Sequence, residues 1–141
     1  MSSWIHVSGV FNIDGVRNLT DEERNMSFEE LIDARLGKEI SYEDICWLYE
    51  TESKTHIEEY LPLGSEGSLQ KSICFDNVED SINIGAITVF GNLRDCYDVD
   101  KYIEWFKKKC ELFYIRQAVI TVTNGWETKT WTYGEKENGL D

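Results

Sequence analysis

Between residues 84 and 123 the spacing of apolar residues changes twice, from alternation to helical period and back to alternation. Ile84, Ala86, Thr88 and Phe90 alternate with Gly85, Ile87, Val89 and Gly91. Both faces of this stretch therefore carry apolar residues, as in a largely buried strand. Val99, Tyr102, Ile103, Phe106, Cys110 and Phe113 then recur at helical spacing and form one apolar stripe. Asp95 or Asp98 can cap the start of this helix, and Lys107, Lys108 and Lys109 suit the negative end of its dipole. Ala118, Ile120 and Val122 alternate with Val119, Thr121 and Thr123 as a further strand. The pattern predicts a strand-helix-strand unit.

The same reading extends to the rest of the chain. Residues 4 to 13 predict a first strand with Ile5, Val7, Phe11 and Ile13 on one face, where Gly9 lets a helix approach closely. Trp4, His6 and Ser8 fall on the opposite face, and Asp14-Gly15 reads as the closing turn. Ser27-Phe28-Glu29-Glu30 has capping-box spacing, and Phe28, Leu31, Ile32, Arg35 and Leu36 follow at helical period until Gly37. Ser41-Tyr42-Glu43-Asp44 opens a second short helix, in which Tyr42, Ile45, Leu48 and Tyr49 share a face. Residues 51 to 67 are weakly periodic and contain the chain's single proline, Pro62. They predict a loop long enough to be a candidate for function.

Leu69, Lys71, Ile73 and Phe75 mark a strand that turns back through residues 77 to 81. Asn124-Gly125 predicts a two-residue type I′ hairpin turn. That turn would set Thr123 opposite Trp126, Thr121 opposite Thr128 and Ala118 opposite Trp131. The expected fold is a single α+β domain over residues 1 to 134, followed by a polar tail from 135 to 141. It is a ferredoxin-like sandwich: an antiparallel sheet with helices on one face and an added C-terminal β-hairpin. The sheet's other side would mix Ser, Thr and Gln with an aromatic residue such as Trp126 or Trp131. Such a face can be plain solvent surface, a dimer interface or a ligand platform.

Composition changes this picture mainly through charge. The chain has 141 residues, 27 acidic against 14 basic, for a net charge of −13. Residues 14 to 60 hold 14 acidic and 5 basic side chains, so the acidity is uneven. Such a balance excludes non-specific nucleic-acid binding, which needs a surplus of Lys and Arg on one face. It suits either solubility or attraction to a basic surface. No apolar run approaches the roughly 20 residues of a membrane helix. The start Met1-Ser2-Ser3-Trp4 lacks a signal peptide's regions, so a cytoplasmic location is expected. Cys46, Cys74, Cys96 and Cys110 show no metal-binding spacing and are expected to be reduced thiols.

No phosphate loop, Gly-x-Gly-x-x-Gly, His-Glu-x-x-His or Gly-x-Ser-x-Gly occurs. His6 and His56 lie in different elements, and no metal or cofactor is expected. Adjacent carboxylates such as Glu22-Glu23 or Glu58-Glu59 point apart on a helix, and read as solvated faces more readily than as proton-sharing pairs. An anion site is conceivable where the loop, through Gly64 and Ser65, could meet Arg94 and Asp95 at a helix start; an Arg94–carboxylate structural pair is the competing reading.

Three stretches, Trp4-Ile5-His6-Val7-Ser8-Gly9-Val10, residues 61 to 69 (Leu-Pro-Leu-Gly-Ser-Glu-Gly-Ser-Leu) and Phe90-Gly91-Asn92-Leu93-Arg94-Asp95, resemble small acidic proteins encoded by bacteriophages and related mobile elements. The resemblance implies a counter-defence role but carries no catalytic motif. The expected function is thus a non-enzymatic binding protein that inhibits a basic, nucleic-acid-binding host defence protein such as a CRISPR or restriction nuclease. Its acidic contacts would be Glu22, Glu23, Glu29, Glu30, Asp33, Glu43, Asp44, Glu58 and Glu59. The alternative is a sponge that sequesters a signalling nucleotide, holding the anion through Gly64, Ser65, Arg94 and Asp95. Homodimerisation through the open sheet face is compatible with both.

Overall fold

A computed structural model describes residues 3–51, 59–78 and 82–134. The first strand, β1 (Trp4–Val16), runs into a 3-10 helix (Glu23–Asn25) and two helices, α1 (Phe28–Leu36) and α2 (Tyr42–Thr51). Strands β2 (Gln70–Val78) and β3 (Ile82–Arg94), helix α3 (Val99–Cys110) and strands β4 (Phe113–Thr123) and β5 (Thr128–Thr132) complete the order. The five strands form one antiparallel sheet in the order β2-β3-β1-β4-β5. The architecture is α+β: α1 and α3 supply the core on one side of the sheet, while α2 packs in a separate cluster and its Tyr42 and Ile45 share a concavity with Gln70, Phe90 and Asn92. The turn between β2 and β3 and the tail from 135 to 141 lie largely or wholly outside the described residues, as do His56 and Glu58.

Alternation decides which side is covered. Ile5, Val7, Phe11 and Ile13 of β1 are buried with Ile87, Val89, Leu93, Ala118, Ile120 and Val122, and the helices supply Ile32, Leu36, Tyr102 and Phe106 to the same core. Phe106 is its aromatic centre. Its ring stacks on Phe11 with centroids 4.1 Å apart, and Trp131 meets it edge-on at 6.0 Å. This contact requires Gly9, where an added Cβ would lie 2.9 Å from the Phe106 ring. A smaller cluster of Ile40, Ile45 and Leu48 seats α2 against Tyr60 and Leu63.

The helix boundaries follow local chemistry. Ser27 Oγ accepts the Glu30 N–H at 3.2 Å, and Gly37 ends α1 at φ 120°. Ser41 Oγ accepts the Asp44 N–H at 3.2 Å, and Asp98 Oδ1 accepts the Asp100 N–H at 3.1 Å. Asp95 takes no capping role: it adopts φ 62° and receives the Ser65 hydroxyl.

Several expectations are corrected. Phe113 starts β4 instead of ending the helix. Asp14-Gly15 does not end β1, which continues to Val16 through a register irregularity against β4. Tyr42 is 62% exposed, whereas Ile45 and Leu48 are buried, so Tyr42 leaves their shared face. The last hairpin has a four-residue loop. Asn124 Oδ1 accepts the N–H groups of Trp126 and Glu127, closing an Asx turn that the two-residue form cannot accommodate. Thr123 therefore faces Thr128, and Trp131 faces Ile120. A shift of two leaves each side chain of β5 on the same face as the two-residue pairing would, with Trp131 beside the core-facing residues of β4 and not on the open face expected to carry an aromatic. Trp131 accordingly lies on the helix side, and Trp126 sits in the loop at 84% exposure, so neither aromatic lies on the open face.

The outer edge of β2 is partly closed, because the Glu39 carboxylate accepts the Lys71 backbone N–H at 2.9 Å. The opposite edge, β5, is five residues long and carries Lys129.

Candidate functional site

The acidic residues singled out in the sequence do not act alike. Glu23 receives Arg35 through two bonds of 2.7 Å, and both side chains are nearly buried. The Arg35 hydrogen bonds hold the Glu23 carboxyl well below the usual range, at about 2. Arg35 also donates to the carbonyls of Asn18 and Leu112, so this pair ties the loop after β1 to α1 and β4. Asp33 is ion-paired with Lys71 across to β2. Glu23 and Asp33 are therefore internal fasteners. Glu22, Glu29, Glu30, Glu43, Asp44 and Glu59 are exposed and spread over the turn before the 3-10 helix, α1, α2 and the segment before Tyr60.

Gly64, Ser65, Arg94 and Asp95 do come together, as a structural clip. Ser65 N–H donates to Arg94 O at 3.0 Å, and Arg94 N–H donates to Glu66 O at 3.0 Å. The Ser65 hydroxyl donates to the Asp95 carboxylate, and the Arg94 guanidinium donates to Glu66 Oε1 at 2.6 Å. The competing structural pair is the one formed. Nearby, Asp98 caps α3 and Asp100 holds Lys129 at 2.8 Å. An anion arriving at the clip would meet the Glu66 and Asp95 carboxylates.

A different place on α3 offers the opposite environment. Lys101, Trp105, Lys108, Lys109 and Leu112 line a cleft of about 580 Å³ with Tyr102. Its other wall is Tyr60, Pro62 and Leu63. None of these lining residues is a carboxylate. Pro62 and Leu63 are held there because Leu69 N–H donates to Pro62 O, Gly64 N–H donates to Gly67 O, and the clip joins the loop to β3. Lys101 Nζ lies 5.6 Å from the Tyr102 ring centroid, and Lys109 Nζ donates to Arg35 O at 3.1 Å. A second concavity near Trp131 and Tyr133 includes Glu111. Its cations are engaged: Arg17 donates to Phe113 O and covers the Tyr114 ring, and Lys107 pairs with Glu104.

The sequence carried a signal for the cleft that dipole reasoning passed over. Lys101, Trp105, Lys108 and Leu112 are spaced by four, three and four, forming a second stripe beside the buried one. The facing wall, Tyr60, Pro62 and Leu63, belongs to the weakly periodic loop that its length makes a candidate for function, but no pattern in that loop points to α3.

The four cysteines form no disulfide, and burial pushes the Cys110 thiol up to about 12. Among the described residues no group of His, Cys, Asp and Glu is arranged to hold a metal. No described helix is long and apolar enough to cross a membrane. No protein family, no curated protein and no solved structure matches the chain, so the roles of its residues rest on this geometry alone.

Proposed function

We propose that the protein is a non-enzymatic binder of an anionic ligand with a flat apolar group, of which a nucleotide is the fitting class, and that the cleft on α3 receives it. One observation carries the reading. A chain of net charge −13 gathers Lys101, Lys108 and Lys109 around Tyr60 and Trp105, with no carboxylate among the described lining residues. The volume is in the range of ligand sites, roughly 300–1,000 Å³. Rings offer stacking, and ammonium groups attract phosphate through charge-assisted hydrogen bonds. Among the described residues, the lining has no histidine, thiol or carboxylate to serve as base or nucleophile, which favours binding over catalysis. The strand order supports a ferredoxin-like core in which α1 and α2 together take the place of the first crossover helix and β5 is an added edge strand.

Thermal-shift titration tests the proposal. ADP should raise the melting temperature more than adenosine or inorganic pyrophosphate alone, because ring and phosphate each find partners. Lys101→Glu with Lys108→Glu, both exposed positions, should weaken ADP binding at least about tenfold without lowering the unliganded melting temperature. No shift with any nucleotide at millimolar concentration overturns the reading.

A second reading, acidic docking on a basic host defence protein such as a nuclease, has one feature in its favour. The outer side of α2 presents Glu43 and Asp44 beside Tyr42 and Trp47, which is 54% exposed, so charge and aromatic area lie together. Glu43→Lys with Asp44→Lys should abolish low-salt capture of a basic partner and leave the ADP shift intact. Unchanged capture rules this reading out.

A further inference from the structure

Among the described residues, the sheet's open side differs in charge from the surfaces formed by the helices. Four cross-strand rows, from the Cys74–Ala86–Asn12–Gln117 row to the Asn92–His6–Thr123–Thr128 row, occupy eighteen outward positions. None is Asp, Glu, Lys or Arg, although 29% of the chain is charged. Among the described side chains, charge returns at the two ends, as the Arg94–Glu66 pair and the Asp14–Arg116 pair, and by register Asp76 of β2 falls in the row beyond Cys74. In the middle, Val10 and Val119 lie side by side, with Thr88 next to Val10 in the same row. Phe90, 41% exposed, stands in the next row. Each helix, by contrast, exposes carboxylates: Glu29 and Glu30 on α1, Glu43 and Asp44 on α2, and Asp100 and Glu104 on α3.

We infer that this face is the interface of a two-fold homodimer, in which the sheets of two copies pack face to face around Val10 and Val119. Charge selects the partner. Two molecules of −13 repel one another, so self-association must proceed through a surface without carboxylates, and this is the broad face that qualifies. A two-fold axis through the centre sets the Val10–Val119 patch of one copy on that of the other and turns the threonines around it into a polar rim. The size is adequate. Five strands about 4.8 Å apart and four rows about 7 Å apart span roughly 650 Å² in projection. A standard interface takes about 800 Å² of accessible surface per partner, which a textured patch of this size approaches. The inference does not depend on the ligand cleft, which lies on the helix side.

Sedimentation equilibrium of the full chain at up to roughly 200 µM, at low and high salt, tests it. The expected mass is twice 16.4 kDa. Association should strengthen as salt rises, because salt screens the mutual repulsion while the contact itself has no ion pairs to lose. Val10→Glu should weaken dimerisation at least about a hundredfold by placing two carboxylates at the axis. Phe90→Lys, at a more exposed position, gives a second test should the first variant lose its circular-dichroism signal. A wild-type monomer at every concentration and salt overturns the inference. So does a folded Val10→Glu or Phe90→Lys that dimerises like the wild type, or a dimer that dissociates as salt rises.

Discussion

Phe106→Ala is expected to destabilise the protein by about 3–5 kcal/mol, the range for emptying an aromatic site in a packed core. The ring is fully buried, stacks on Phe11, receives Trp131 edge-on and fills the space left by Gly9. Truncation removes these contacts together. The cavity cannot close by collapse, because β1 is pinned between β3 and β4 by ladders on both sides. Since a domain of this size has about 5–15 kcal/mol in total, the loss should move the urea midpoint sharply at an unchanged slope. Phe106→Leu, which keeps most of the volume, should lose less than half as much. Equal losses for Ala and Leu would mean that stacking, and not volume, sets the cost.

Gly64→Ala should cost about 3 kcal/mol and also abolish nucleotide binding. An added Cβ would lie 2.4 Å from Arg94 O and 2.6 Å from Arg94 N. Both are backbone atoms of a paired strand and cannot swing aside as a side chain could, so the loop must lift. Lifting breaks the Ser65–Arg94 and Arg94–Glu66 backbone bonds, worth about 1 kcal/mol each, and adds overpacking strain of about 1–3 kcal/mol. Pro62 and Leu63 then leave the cleft wall. Melting temperature and ADP titration read the two effects separately. A variant that melts early and still binds ADP would show that the loop is not part of the site. Gly67→Ala serves as the companion, since Gly67 combines φ 80° with a Cβ position 2.1 Å from Asn92 O.

What could be read from the sequence divides along physical lines. Local periodicity and capping chemistry are written in adjacent residues, so Ser27, Ser41, Asp98 and the alternation of β1 and β4 could all be read directly. The close approach at Gly9 was legible for the same reason: a lone glycine on a buried strand face needs a neighbour. Register was less so. The choice between a two- and a four-residue loop at Asn124 depends on whether its side chain accepts two backbone amides, and no pattern in the flanking strands expresses that. The sites were the least legible. A carboxylate's role is set by what lies opposite it, and Glu23 and Asp33 are neutralised by Arg35 and Lys71, 12 and 38 residues further along. Arg94 likewise finds Glu66, and the lysine stripe of α3 gains meaning only when Tyr60 and Pro62 form the facing wall.

The Glu39 carboxylate on the Lys71 amide has a bearing on life in a crowded cell. A sheet rich in valine, isoleucine and threonine invites strand addition at its margins, which is how fibrils grow. Here one margin has an amide already occupied by an exposed carboxylate, which an incoming strand would have to displace. The other is a five-residue strand bearing an ammonium group. Each margin therefore offers an incoming strand a ladder that is short or partly occupied, which disfavours growth edge to edge.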